Sequence, residues 1–156
     1  MADLEQEALD RIAHSTKADD LRRIARNARG KSERVEKAAL KRIVTIESKG
    51  EFGSVAFDCW TMVLAVEEVR RQLRGRKAPM NRLRPKIARE GERAALEYLA
   101  LHESEGFREV LEYDMPEYAA ESIVVRHGQP TFSDKAILKA RQRLTNAGFD
   151  PDELAE

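Results

Sequence analysis

The sequence predicts an all-α protein, a single compact helical bundle of about seven helices that includes an N-terminal αα-hairpin. Three observations carry this reading. Apolar residues recur at three- and four-residue spacings through most of the chain. Ser, Thr and Pro stand where such stretches begin, and Gly where they end. The one β-branched cluster, "SIVV" at 122–125, is too short to argue for a sheet.

The elements follow in order. Leu4, Ala8 and Ile12 predict a helix over about 3–14. In "STKADDLRRIARNARG", Thr16 reads as an N-cap with Asp19 three residues on, and Gly30 as a stop. Leu21, Ile24, Ala25 and Ala28 form the inward stripe of that helix. Ser32 caps "ERVEKAALKRIVTIES", whose inward set is Val35, Ala39, Leu40, Ile43 and Ile46. The tight join at Gly30-Lys31 makes these two helices the αα-hairpin. "KGEFG" then breaks the chain at 49–53. From Ser54, "VAFDCWTMVLAVEEV" reads as the most buried helix.

Pro79 and Pro85 predict a loop at 75–79 and a helix from about Arg84 with Pro85 at its first position. On that helix Lys86, Arg89 and Arg93 form a stripe, with Ile87 and Ala94 anchoring it to the core. Gly91 and Gly106 punctuate the next segment, where Ala95, Leu96, Leu99 and Ala100 point inward. A short helix "FREVLEY" follows. "DMPEYAAESIVVRHG" is opened by Pro116 and closed by Gly128. Ser133 caps the last helix, with Phe132 and Ile137 as a hydrophobic staple and Gly148 as its end. The expected organisation is a helical hairpin subdomain at 1–48, a helical core at 54–148 and a C-terminal tail at 149–156.

Composition narrows the class. At 42% hydrophobic and 36% charged, with no net charge, the chain has too many aliphatics and too balanced a charge for a disordered protein. The lone cysteine, Cys59, makes no internal disulfide. The acidic, amphipathic start "MADLEQEALDRI" lacks the cationic and apolar regions of a signal peptide, and no apolar run reaches the length of a membrane span. The expectation is a cytoplasmic protein with no membrane partner, no cofactor and no metal.

The balance of 28 basic against 28 acidic residues conceals segregation. "RRQLRGRKAPMNRLRPKIAR", Arg70–Arg89, holds nine cations and no acid, whereas residues 90–122 hold ten acids against Arg93 and Arg108 alone. Residues 17–42 are also basic, with ten cations to four acids. A concentrated cationic surface attracts nucleic-acid phosphates through counterion release, and seven of the nine cations are arginines, whose guanidinium forks match phosphate oxygens and guanine edges. The sequence therefore predicts a non-enzymatic, regulatory protein that binds duplex DNA through Arg70, Arg74, Arg76, Lys77, Arg82, Arg84, Lys86 and Arg89. Arg74-Gly75-Arg76 resembles the centre of an AT-hook, although Lys77 follows it directly and Pro79 comes two residues later. Single-stranded RNA fits less well, because no aromatic lies between residues 61 and 97 to serve as a stacking platform. The alternative is a protein-interaction module, a regulator or inhibitor, whose basic face docks on an acidic protein partner or a second copy of the chain.

Other reactive side chains carry duller readings. Cys59, beside Trp60 in an apolar helix, reads as a buried small residue. His102, in "HESE", lacks a second histidine one turn on. Arg22, Arg26 and Arg29 form a solvated stripe. Glu67 and Glu68 diverge by about 100° around their helix and read as ion-pair partners of Arg70 or Arg71. "ESKGEF" supplies Glu47, Lys49 and Glu51 on a loop without a recognisable catalytic arrangement. His127 complements its helix dipole, with a functional corner beside the 114–121 acids as the sharper option.

Overall fold

The computed structural model describes residues 2–156, whose regular structure is all helical, with no strand among them. The helices are α1 (Ala2–His14), α2 (Ala18–Ala28), α3 (Glu33–Glu47), α4 (Val55–Arg74), α5 (Leu83–Glu90), α6 (Glu92–Leu101), α7 (Glu105–Glu112), α8 (Ala120–His127), α9 (Asp134–Asn146) and α10 (Pro151–Leu154), with a 3₁₀ turn at Pro116–Tyr118 before α8. The described residues thus form ten helices where the sequence predicts about seven. The difference lies in short helices. Gly91, at φ 92°, separates α5 from α6. In the expected tail, Pro151 begins α10 and the Asp150 side chain caps it by accepting from the Asp152 amide at 2.9 Å.

The chain divides into two compact units, one ending at Ser48 and the other beginning at Lys49. In the first, α2 and α3 pack on one another and α1 packs on α3. Leu21, Ala25 and Ala28 of α2 are buried with Val35, Ala39, Leu40, Ile43 and Val44 of α3 and Ile12 of α1. Ile46 is only half-buried, and Val44 takes its place. Gly30, at φ 77°, turns the chain, and the Ser32 hydroxyl accepts from the Val35 amide at 3.2 Å. Thr16 is not the cap of α2. Lys17 occupies that position without a side-chain bond, and the α1–α2 join is held by Arg42, whose Nε donates to the Ser15 carbonyl at 3.1 Å.

In the second unit α4 packs against α6, α7 and α8. Ser54 opens α4 by accepting from the Phe57 amide at 3.0 Å, and Gly75, in the left-handed region, closes it. Cys59, Val63, Ala65, Val66 and Val69 are buried on α4, too wide a span for a one-sided amphipathic stripe. Gly106 lets α7 approach closely, since a Cβ there would lie 3.3 Å from Val66 Cγ2. Pro85 stands at the third position of α5, still within the first turn, where a missing N–H costs no helical bond. Pro116 opens the 3₁₀ turn, and α8 starts at Ala120.

Charge also enters this core. Glu121 on α8 is 1% exposed and pairs with Arg143 of α9, which also donates to the carbonyls of Leu99 and Ala100. Burial raises the Glu121 carboxyl above the ordinary glutamate value, and the Arg143 hydrogen bond only partly opposes it. The site is therefore closer to accepting a neutral amide than an empty space. Glu121→Ala, which strands the guanidinium, is expected to lower unfolding free energy by about 3 kcal/mol, and Glu121→Gln by clearly less. Urea denaturation followed through the fluorescence of Trp60, the single tryptophan, measures both.

Candidate nucleic-acid interface

The nine cations of the 70–89 stretch divide into two groups. Arg70 on α4 forks onto Glu109 of α7, Nε to Oε2 at 2.9 Å and Nη2 to Oε1 at 2.8 Å. Arg84 on α5 forks onto Glu67 of α4, Nε to Oε2 at 2.7 Å and Nη2 to Oε1 at 2.6 Å. Each carboxylate hydrogen bond pushes its guanidinium pKa up from an already high value. Lys86 donates to Glu90 at 2.9 Å and sits 4.3 Å from the centre of the Tyr98 ring. Arg71 pairs with the buried Glu68 at 3.9 Å.

The second group is Arg74, Arg76, Lys77, Arg82 and Arg89. All five are exposed, and none makes a side-chain hydrogen bond or ion pair with the described residues. Three of the eight sequence-predicted contacts, Arg70, Arg84 and Lys86, are thus committed inside the unit. Of the two predicted contacts on α4, Arg74 stays open and Arg70 does not. The expected stripe through Lys86, Arg89 and Arg93 is cut at Gly91, and Arg93, on α6, donates to Glu97 at 3.3 Å and to the Thr131 carbonyl at 3.4 Å.

The loop between α4 and α5 is braced at one point. Glu67 Oε2 accepts not only from Arg84 but also from the Met80 amide at 2.8 Å. Arg84 lies in turn 5.4 Å from the centre of the Trp60 ring. The loop that carries Arg76, Lys77 and Arg82 is therefore tied to α4 near its far end.

Sequence reasoning missed what lies beside Arg82 and Arg89. A groove of about 410 Å³ is lined by Met80, Asn81, Leu83, Tyr98, Leu99 and Ser104, with Arg82, Lys86, Arg89 and the Glu109-bound Arg70 around it. Tyr98, 43% exposed, stacks on His102 with ring centres 4.1 Å apart. No sequence signal could have found this groove, because Tyr98 and Ser104 follow the basic stretch and reach it only through the α5–α6 packing.

The remaining candidates resolve locally. His127 does not gather with the 114–121 acids; its Nε2 lies 2.6 Å from Asp58 Oδ2 on α4, where Arg126 also pairs at 3.3 Å. Burial pushes the Cys59 thiol up to about 12, far from a reactive thiolate. Among the described residues no group of three metal-capable side chains converges. On α2, Arg22 pairs with Asp19 at 2.9 Å, and Arg29, just past its end, pairs with Glu36 at 3.9 Å. Comparison with protein-family models, with curated proteins and with solved structures finds no match to this chain.

The brace is testable by itself. In Glu67→Gln the amide can no longer hold both the Met80 N–H and the Arg84 fork with a full charge, and hydrogen exchange at the Met80 amide is expected to quicken about tenfold, the equivalent of one charge-assisted bond. An unchanged exchange rate would show that the loop is ordered by something else.

Proposed function

We propose that the chain is a non-enzymatic, regulatory DNA-binding protein that contacts duplex phosphates through Arg74, Arg76, Lys77, Arg82 and Arg89. The observation that carries the reading is the selection among the nine cations: the five that make no side-chain hydrogen bond or ion pair are also exposed, and they lie on or beside one braced loop. An exposed guanidinium with no carboxylate of its own contributes its full counterion-release term to a polyanion, whereas Arg70 and Arg84 would first have to surrender their forks. Phosphate contacts position the protein, and Arg76 and Arg82, on and beside the loop, are the side chains with the reach to read base edges.

A protein partner is the second reading, and Leu73 favours it. This side chain is 64% exposed directly beside Arg74, and apolar surface has no use against phosphate. An acidic partner with an apolar patch, including the acid-rich segment of a second copy, would use both. Retention on heparin without a gel shift of duplex DNA supports that reading.

With five phosphates contacted, log K for duplex DNA is expected to fall against log salt with a slope near −4.5, at about 0.9 per phosphate. The double variant Arg76→Ala/Lys77→Ala should reduce the slope to about −2.7 on the same basis. Fluorescence anisotropy across a salt series measures both, and an absence of binding at about 50 mM salt would remove the DNA reading.

A further inference from the structure

We propose that the groove beside Arg82 and Arg89 receives one extrahelical nucleotide of the bound DNA, an inference that rests on the DNA reading above. Its volume, about 410 Å³, falls within the range of roughly 300–1,000 Å³ typical of small-ligand sites. Its chemistry divides as a nucleotide does. Leu83 and Leu99, both buried, and the half-buried Met80 supply apolar walls for a base. The Asn81 amide and the Ser104 hydroxyl line the same groove, and neither side chain has a hydrogen-bond partner among the described residues. An amide that both donates and accepts suits the edge of a base. Arg82 and Arg89, both exposed and neither in a side-chain hydrogen bond, stand ready for its phosphate.

Two details shape the mode of binding. Tyr98 is not the platform, since its ring already stacks on His102 and carries the Lys86 ammonium. The base is held between aliphatic walls instead. Lys86, tied to Glu90, contributes field and not a direct contact. A base inside an intact duplex cannot enter a concave site, so the nucleotide must be flipped or already unpaired, and the cost is least where it has no partner. An acidic peptide is the poorer fit: its carboxylates would meet the arginines but leave the apolar walls and the amide unused.

The test compares a fully paired duplex with one carrying a single-nucleotide bulge, by anisotropy at about 50 mM salt. The bulged duplex is expected to bind about tenfold tighter, the scale of one base placed in a pocket without the cost of unpairing. Asn81→Ala/Ser104→Ala should abolish that preference while the salt slope on the paired duplex stays at about −4.5, since neither residue is a cation; circular dichroism confirms that it folds. Equal affinity of the parent for both duplexes overturns the nucleotide site and leaves the phosphate reading standing. A preference that persists in the double variant also overturns it. Binding of neither duplex, with an aspartate-rich peptide bound instead, overturns both.

Discussion

A single carboxylate, Glu67, holds the arrangement on which the candidate interface depends. The eight residues between α4 and α5, 75–82, have no regular structure to order them, and fixing each backbone costs about 1–2 kcal/mol of conformational entropy. Glu67 offsets part of that cost with three charge-assisted bonds, one to the Met80 amide and two to Arg84. Its side chain is largely shielded, at 13% exposure, so these bonds are screened less than surface pairs would be. The Arg70–Glu109 fork does the same for the α4–α7 contact, beside the close approach allowed at Gly106.

This brace explains how a neutral protein keeps an accessible positive surface. A flexible arginine-rich loop would collapse onto the nearest carboxylates, and the following segment supplies many. Here the nearest acids are already occupied. Glu67 takes Arg84, Glu109 takes Arg70, Glu90 takes Lys86, and Glu97 is spent on Arg93 and the Ser133 amide. Bond formation at these positions leaves Arg74, Arg76 and Arg82 exposed without a hydrogen bond or ion pair among the described residues. Four acids of the following segment, Glu90, Glu97, Glu109 and Glu121, serve as internal partners, while Glu103, Glu105 and Glu112 stay exposed.

The helical class was legible because its signals are local. Ser32, Ser54 and Ser133 each accept from the amide three residues on, as the spacing implies. Where a local signal competes with tertiary contacts, the reading fails. Thr16 is a good cap by type, yet the Arg42 bond to Ser15 leaves Lys17 at the cap position. The basic stretch was visible as composition, but the division of its cations was not. Nothing near Arg70 in the chain announces Glu109, thirty-nine residues on, and the groove beside Arg82 needs side chains from α6 and the start of α7. Long-range pairing is a property of topology, and a linear pattern of charges does not contain it.

The cations of residues 70–89 form two populations, one engaged by carboxylates and one exposed without a hydrogen bond. Nitrogen-15 NMR of the arginine Nε–H groups during titration with duplex DNA tests it most directly. Arg74, Arg76, Arg82 and Arg89 are expected to shift while Arg84 stays in place and Arg70, at the groove edge, moves less than the exposed four. Equal movement of Arg70 and Arg84, or no movement of the four exposed guanidinium groups, would contradict it.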